Sequence, residues 1–105
     1  MPIKGRKRKG TSAEWKSRDY LEARGYSVLR CAGSFSEWDL IAFLKKNWRG
    51  RTGTWAEILL VQVKSSRWPG SKEMKAMRDF PAPANCAKHI HRWQPRYKEP
   101  EVRFL

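Results

Sequence analysis

The chain has 105 residues, with 23 Lys and Arg against 10 Asp and Glu and a formal net charge of +13. That length suits one domain, and 40% hydrophobic residues with six Trp, three Tyr and four Phe exclude a disordered basic tail. No apolar run approaches the ~20 residues of a membrane span, and two cysteines without a CxxC argue against a disulfide scaffold.

The first residues, MPIKGRKRKG, lead into no apolar stretch, so no secretory signal is expected and a reducing cytoplasm is the default. Residues 1–10 read as a flexible basic arm, and residues 11–105 as a single domain. In the arm, Lys4, Arg6, Lys7, Arg8 and Lys9 have no acid among them, and Gly5 and Gly10 loosen the backbone. Such a segment is solvated when free and orders on phosphates. The excess of positive charge points to a polyanion partner. With no basic amphipathic helix of membrane type, nucleic acid is favoured over a membrane surface.

A helix is predicted next. Thr11-Ser12-Ala13-Glu14 has the form of a capping box, and Gly25 is a natural stop. At about 100° per residue, Ala13, Ser17, Tyr20, Leu21 and Arg24 share a broad face, Glu14 lies at its edge and Trp15 points away. Three strand-like runs follow: YSVLRC at 26–31, WDLIAFL at 38–44 and WAEILLVQVK at 55–64. The segment KKNWRGRTGT makes the last two a long-looped hairpin, with Lys45, Lys46, Arg49 and Arg51 projecting from one end. SSRWPG is a turn, after which Ser71 is expected to cap a short helix, KEMKAMRDF, that stops before Pro81. KHIHRW at 88–93 alternates as a strand, QPRYKEP turns, and EVRFL ends the chain as a short strand. The predicted order is α-β-β-β-α-β-β.

Asp39 stands inside an otherwise apolar run, where an ionised carboxylate needs a partner or a metal. Gln62 and Lys64, two apart in a strand, point the same way. If the hairpin pairs in its simplest register, Asp39 lies beside them. An acid, an amide oxygen and an ammonium then meet at one place. Hard oxygen ligands suit Mg²⁺ or Mn²⁺, and an ammonium there can orient water or offset charge on a phosphate.

This constellation resembles the PD-(D/E)XK nuclease superfamily: Asp39 matches its Asp, and Gln62-Val63-Lys64 its (D/E)-x-K. The order αβββαβ, with one further strand, is also that of its core. RKGTSAEWKSRDYLEARGYSVLRCAGS, with WDLIAF and VQVKSS, is similar to the archaeal Holliday junction resolvases and their phage relatives over residues 8–68. The resemblance implies an α/β fold, a central mixed sheet flanked by helices. It implies a structure-selective endonuclease that resolves four-way junctions by Mg²⁺-dependent paired nicking (Mn²⁺ substituting) as a homodimer. No small-molecule cofactor is implied, and the setting is the cytoplasm of an archaeal cell or a phage-infected bacterium. By position, Glu14 matches the helix acid, Asp39 the central metal ligand, Lys64 the catalytic Lys and Ser34 the active-site loop Ser, with Ser36 as a competitor. The implied metal ligands are Asp39, Gln62, the main chain near Val63, and Glu14. Phosphate contacts fall to the arm, to Lys45, Lys46, Arg49 and Arg51, and to Arg67, Lys72 and Lys75.

Position 62 departs from the pattern, since most members carry Glu there. The Gln is a natural variation, or Glu14 or Glu37 supplies the missing charge, or it is an inactivating change. Plainer readings stand beside these. Glu14 serves as a capping-box acid, and Lys64 ends a strand with its ammonium in water. Cys86, His89 and His91 invite a zinc site, but no fourth ligand is near, and the two His share a face that suits solvent. Trp38 and Trp55 suit a core or subunit interface. Trp48 and Trp68 read as loop anchors in preference to contacts with unstacked bases. Two other functions compete: a nuclease of the same fold acting on other branched or duplex DNA, and a non-catalytic nucleic-acid-binding protein.

Overall fold

The computed structural model describes residues 4–31, 37–45 and 56–105, and for residues 4–11 the backbone alone. Ser34, Ser36, Lys46, Trp48, Arg49, Arg51 and Trp55 lie outside these residues, as do the side chains of Lys4, Arg6, Lys7, Arg8 and Lys9.

Helix α1 (Lys4–Glu22) precedes three strands, β1 (Tyr26–Arg30), β2 (Leu40–Leu44) and β3 (Ile58–Ser65). Helix α2 (Ser71–Asp79) and strands β4 (Cys86–Trp93) and β5 (Glu101–Phe104) complete the chain. This is the predicted order. The strands form one sheet in the order β1-β2-β3-β4-β5. All neighbours are antiparallel except β3 and β4, which run parallel and are joined by the α2 crossover.

Two element starts differ from expectation. Helix α1 begins at Lys4, ahead of the expected start at Thr11, so the backbone of residues 4–10 is helical. Lys and Arg are good helix formers, and Gly5 and Gly10 cost only about 1 kcal/mol each. Glu14 therefore sits well inside the helix and is not a capping-box acid. At α2 the N-cap is Gly70, in an extended conformation, and Ser71 is the first helical residue. Gly25 closes α1 with φ 93°, a left-handed conformation that glycine adopts without penalty.

Period-two alternation sends successive β3 residues to opposite faces. Leu59 and Val61 pack with Leu40, Ala42, Tyr26 and Leu21 under α1. Leu60 packs with Trp38, Ile90 and Met77 under α2. The predicted α1 face is the buried one: Ala13, Ser17 and Leu21 are buried, while Trp15 is exposed. Trp38, expected in a core or interface, is buried in the core and meets Phe80 edge-on at 5.7 Å.

The α1 side also holds polar groups. Ser17 Oγ accepts a hydrogen bond from Trp93 Nε1 at 2.7 Å and lies 2.8 Å from His91 Nδ1. His89 stacks on Phe104 at 4.5 Å, and Tyr20 meets the His91 ring edge-on. Both histidines are buried, so the face they share is interior and not the solvent face. Burial pushes the imidazole of His89 down to about 4. Burial, with the charges of His89 and Arg24, takes His91 down to about 3. Cys86, an odd number of residues away on β4, falls on the α2 side with Leu60 and Ile90. The three residues of the zinc reading are thus split between faces, and among the described residues no group of three or more His, Cys, Asp or Glu is placed to hold a metal.

Candidate active site

The site lies where β2 begins and β3 ends. The register Leu40↔Val61 sets Asp39, one residue before β2, against the C-terminal half of β3. Its backbone N–H donates to Val61 O at 2.9 Å, and its C=O accepts from Cys31 N–H at 2.8 Å. The main chain thus fixes Asp39 from both sides. Its carboxylate Oδ2 then accepts the Val63 N–H at 2.7 Å. The segment expected to supply a metal-facing carbonyl is therefore tied to Asp39 through its amide.

Gln62 and Lys64 share the α2 side of β3. Gln62 is buried. Its Nε2 donates to Glu37 O at 3.1 Å, while its Oε1 accepts no hydrogen bond among the described residues. A buried amide oxygen left so is an acceptor in want of a partner. Lys64 Nζ lies 3.3 Å from Glu73 Oε2, on the first turn of α2, and the pair is half-exposed.

Glu14 reaches the same neighbourhood from α1. Its Oε1 accepts a hydrogen bond from Arg30 Nε at 2.8 Å, across the end of β1. Burial raises the Asp39 carboxyl above its ordinary value. The Val63 N–H opposes this, the charge of Glu14 adds to it, and the charges of Lys64 and Arg30 pull it back. Burial likewise lifts the Cys31 thiol, with Asp39 and Glu14 adding to the effect. Asp39, Glu14, Arg30 and Lys64 therefore share one electrostatic environment.

The structure thus brings Glu14, Asp39, Gln62 and Lys64 to one end of the sheet, with Val63 holding Asp39. Of the expected phosphate contacts that are described, Lys45, Arg67, Lys72 and Lys75 are exposed, and Lys75 pairs with Asp79 at 2.7 Å. Trp68 packs against the α2-side core with the guanidinium groups of Arg92 and Arg103 stacked over it at 4.9 and 4.3 Å, which makes it a loop anchor. Two site neighbours went unread in the sequence. Arg30 was signalled by its alternation onto the face of Leu40 and α1. Glu73 was signalled by its place in the first turn of the helix that follows Lys64.

No protein-family model matches the chain, and no curated protein matches it. Among solved structures it matches Hjc from Archaeoglobus fulgidus, a Holliday junction resolvase from an archaeal hyperthermophile, with a TM-score of 0.60. The match covers 92% of this chain and 71% of that one, at 22% identity. The chain shares the fold of that resolvase. The expected α/β architecture, a central mixed sheet flanked by helices, is therefore the one observed. No helix among the described residues is long and apolar enough to cross a membrane.

Proposed function

We propose that the protein is a metal-dependent endonuclease that resolves four-way DNA junctions. The observation that carries this reading is the meeting of Asp39, Gln62 and Lys64 on one sheet end, in a fold shared with a Holliday junction resolvase.

The donor set fits a hard divalent ion such as Mg²⁺, with Mn²⁺ able to replace it. Asp39 offers a carboxylate, Gln62 an orphaned amide oxygen, and Glu14 a second carboxylate once it leaves Arg30. Bound there, the ion would supply Lewis-acid activation of water and phosphate. The chain's own groups do the rest. The Val63 N–H holds Asp39 in one orientation. Lys64 presents an ammonium to the negative charge that develops on the phosphate. Exposed Lys and Arg bind backbone phosphates without reading sequence. Gln62 brings no charge, so a neutral donor lowers metal affinity relative to a carboxylate.

Paired nicking of a two-fold substrate calls for two sites, hence a homodimer. Leu29 and Phe43 are exposed, beside partly buried Ile41 and Ile58, on the α2 side of the sheet, which leaves apolar area for such contact.

The test compares cleavage of a synthetic four-way junction and a linear duplex at equal salt, with Mg²⁺ or Mn²⁺, by the native chain, Asp39→Asn and Gln62→Glu. Junction-selective nicking lost in Asp39→Asn supports the reading, and equal cutting of duplex moves the substrate to other DNA. Sedimentation gives the oligomeric state. A second reading, a non-catalytic nucleic-acid-binding protein, draws on the uncharged Gln62. It predicts salt-sensitive binding with no nicking by any variant.

A further inference from the structure

We propose that Glu73 is a positioning residue for Lys64: its carboxylate, held on the first turn of α2, keeps the Lys64 ammonium at the mouth of the site and off Asp39. The purpose of this arrangement rests on the nuclease reading. The contact itself does not.

The geometry comes from two rigid elements. Lys64 is in β3, beyond the last pair with β2 at Val61, and is held by β4, where its register partner is Arg92. Glu73 is one helical turn before Met77, which is fully buried against Trp38, Leu60 and Ile90, and Met74 packs on the same cluster. Residues four apart share a helix face, so the packing that seats Met77 also aims Glu73 at the sheet. The Nζ to Oε2 distance of 3.3 Å follows from the core and not from a chance surface encounter.

Stability is a poor explanation for this pair. With side chains 31% and 42% exposed, solvent screens such an ion pair so that it adds little to stability, and a carboxylate in a first helical turn adds little more. Its effect is on where the ammonium rests. Lys64 sits on a flexible four-carbon stem. Asp39 already feels its charge. Arg92, the cation next to it in register, is engaged by Glu101 and by the carbonyl of Ser66. Without Glu73, Lys64 turns toward Asp39 and occupies the carboxylate that the site needs. In a cluster where position 62 is uncharged, that loss falls on its central acid.

The test uses the full chain and the variants Glu73→Gln, Glu73→Asp, Lys64→Ala and Glu73→Gln/Lys64→Ala. First, acylation of Lys64 by an amine-reactive ester is followed by mass spectrometry without DNA or metal. Glu73→Gln is expected to change the Lys64 rate severalfold, leave other lysines alone, and be reversed in Glu73→Asp. Second, single-turnover cleavage of a four-way junction is compared with junction Kd measured in chelator. Glu73→Gln is expected to slow cleavage roughly 10-fold with Kd unchanged or tighter, and to add nothing in the Lys64→Ala background. An unchanged acylation rate overturns the proposal, as does a loss of cleavage that persists in full without Lys64. If no variant cleaves any DNA while acylation still depends on Glu73, the positioning stands and the nuclease reading falls.

Discussion

The two faces of the sheet treat polar groups differently. Under α1, Ser17 is sealed and bonded to both His91 and Trp93, His91 Nε2 finds no partner among the described residues, and burial lowers the pKa of both imidazoles. Under α2 and at its open end, Asp39, Lys64 and Glu73 are partly exposed, and the buried amide oxygen of Gln62 has no hydrogen-bond partner among the described residues. Hydrogen bonds closed within the fold make a latch between helix and sheet. Charges and donors left reaching outward make a place for something else to bind. Burial of a histidine or an acid alone does not separate the two, but where its partners lie does.

The largest expected effect lies on the open side. Asp39→Asn removes the central carboxylate and should reduce junction nicking at least about 100-fold, while junction binding in chelator stays intact. Nicking within threefold of native would erase the distinction between the faces. Next comes the latch. Ser17→Ala strands two buried polar atoms, Trp93 Nε1 and His91 Nδ1, and should destabilise the fold by about 2–4 kcal/mol in urea titration. It should not alter the rate per folded molecule at low temperature.

Acid should act on the closed side. The folded pKa values of His89 and His91, about 4 and about 3, lie below the ordinary 6.5. The unfolded chain therefore binds protons first, and stability falls as pH drops from about 6.5 toward 3. Asp39, raised in the fold, works in the other direction near its own titration. Thermal melts across this range check the slope, and His91→Phe should flatten it. A smaller change belongs to Gln62→Glu, which adds a carboxylate and should tighten Mn²⁺ binding by roughly 10-fold in calorimetry. Least of all, Lys75→Ala breaks an exposed pair with Asp79 and should leave the urea midpoint indistinguishable from native.

How much of this was legible follows from which signals are local. The apolar runs LIAF and ILLVQV announced their strands, and period-two alternation put Gln62 and Lys64 on one side before any fold was known. The same alternation put His89 and His91 together but could not say which side was inside, because β4 is covered on both faces. The start of α1 was obscured by a capping-box pattern lying within a longer helix. Glu73 and Arg30 left only faint local signals, for another reason. Their partners, Lys64 and Glu14, lie 9 and 16 residues away, and only the crossover and the packing of α1 bring them near.

The alternation of β3 has a consequence for how the chain tolerates change in length. Leu59 and Val61 serve one face, while Leu60, Gln62 and Lys64 serve the other. One residue inserted within the strand would trade the two sets, burying the ammonium under α1 and turning valines toward the solvent-facing end. Insertions of one residue here should be lost together with those of the core, whereas substitutions at Lys64 leave a folded protein. Length and identity are thus under separate constraint in the same eight residues.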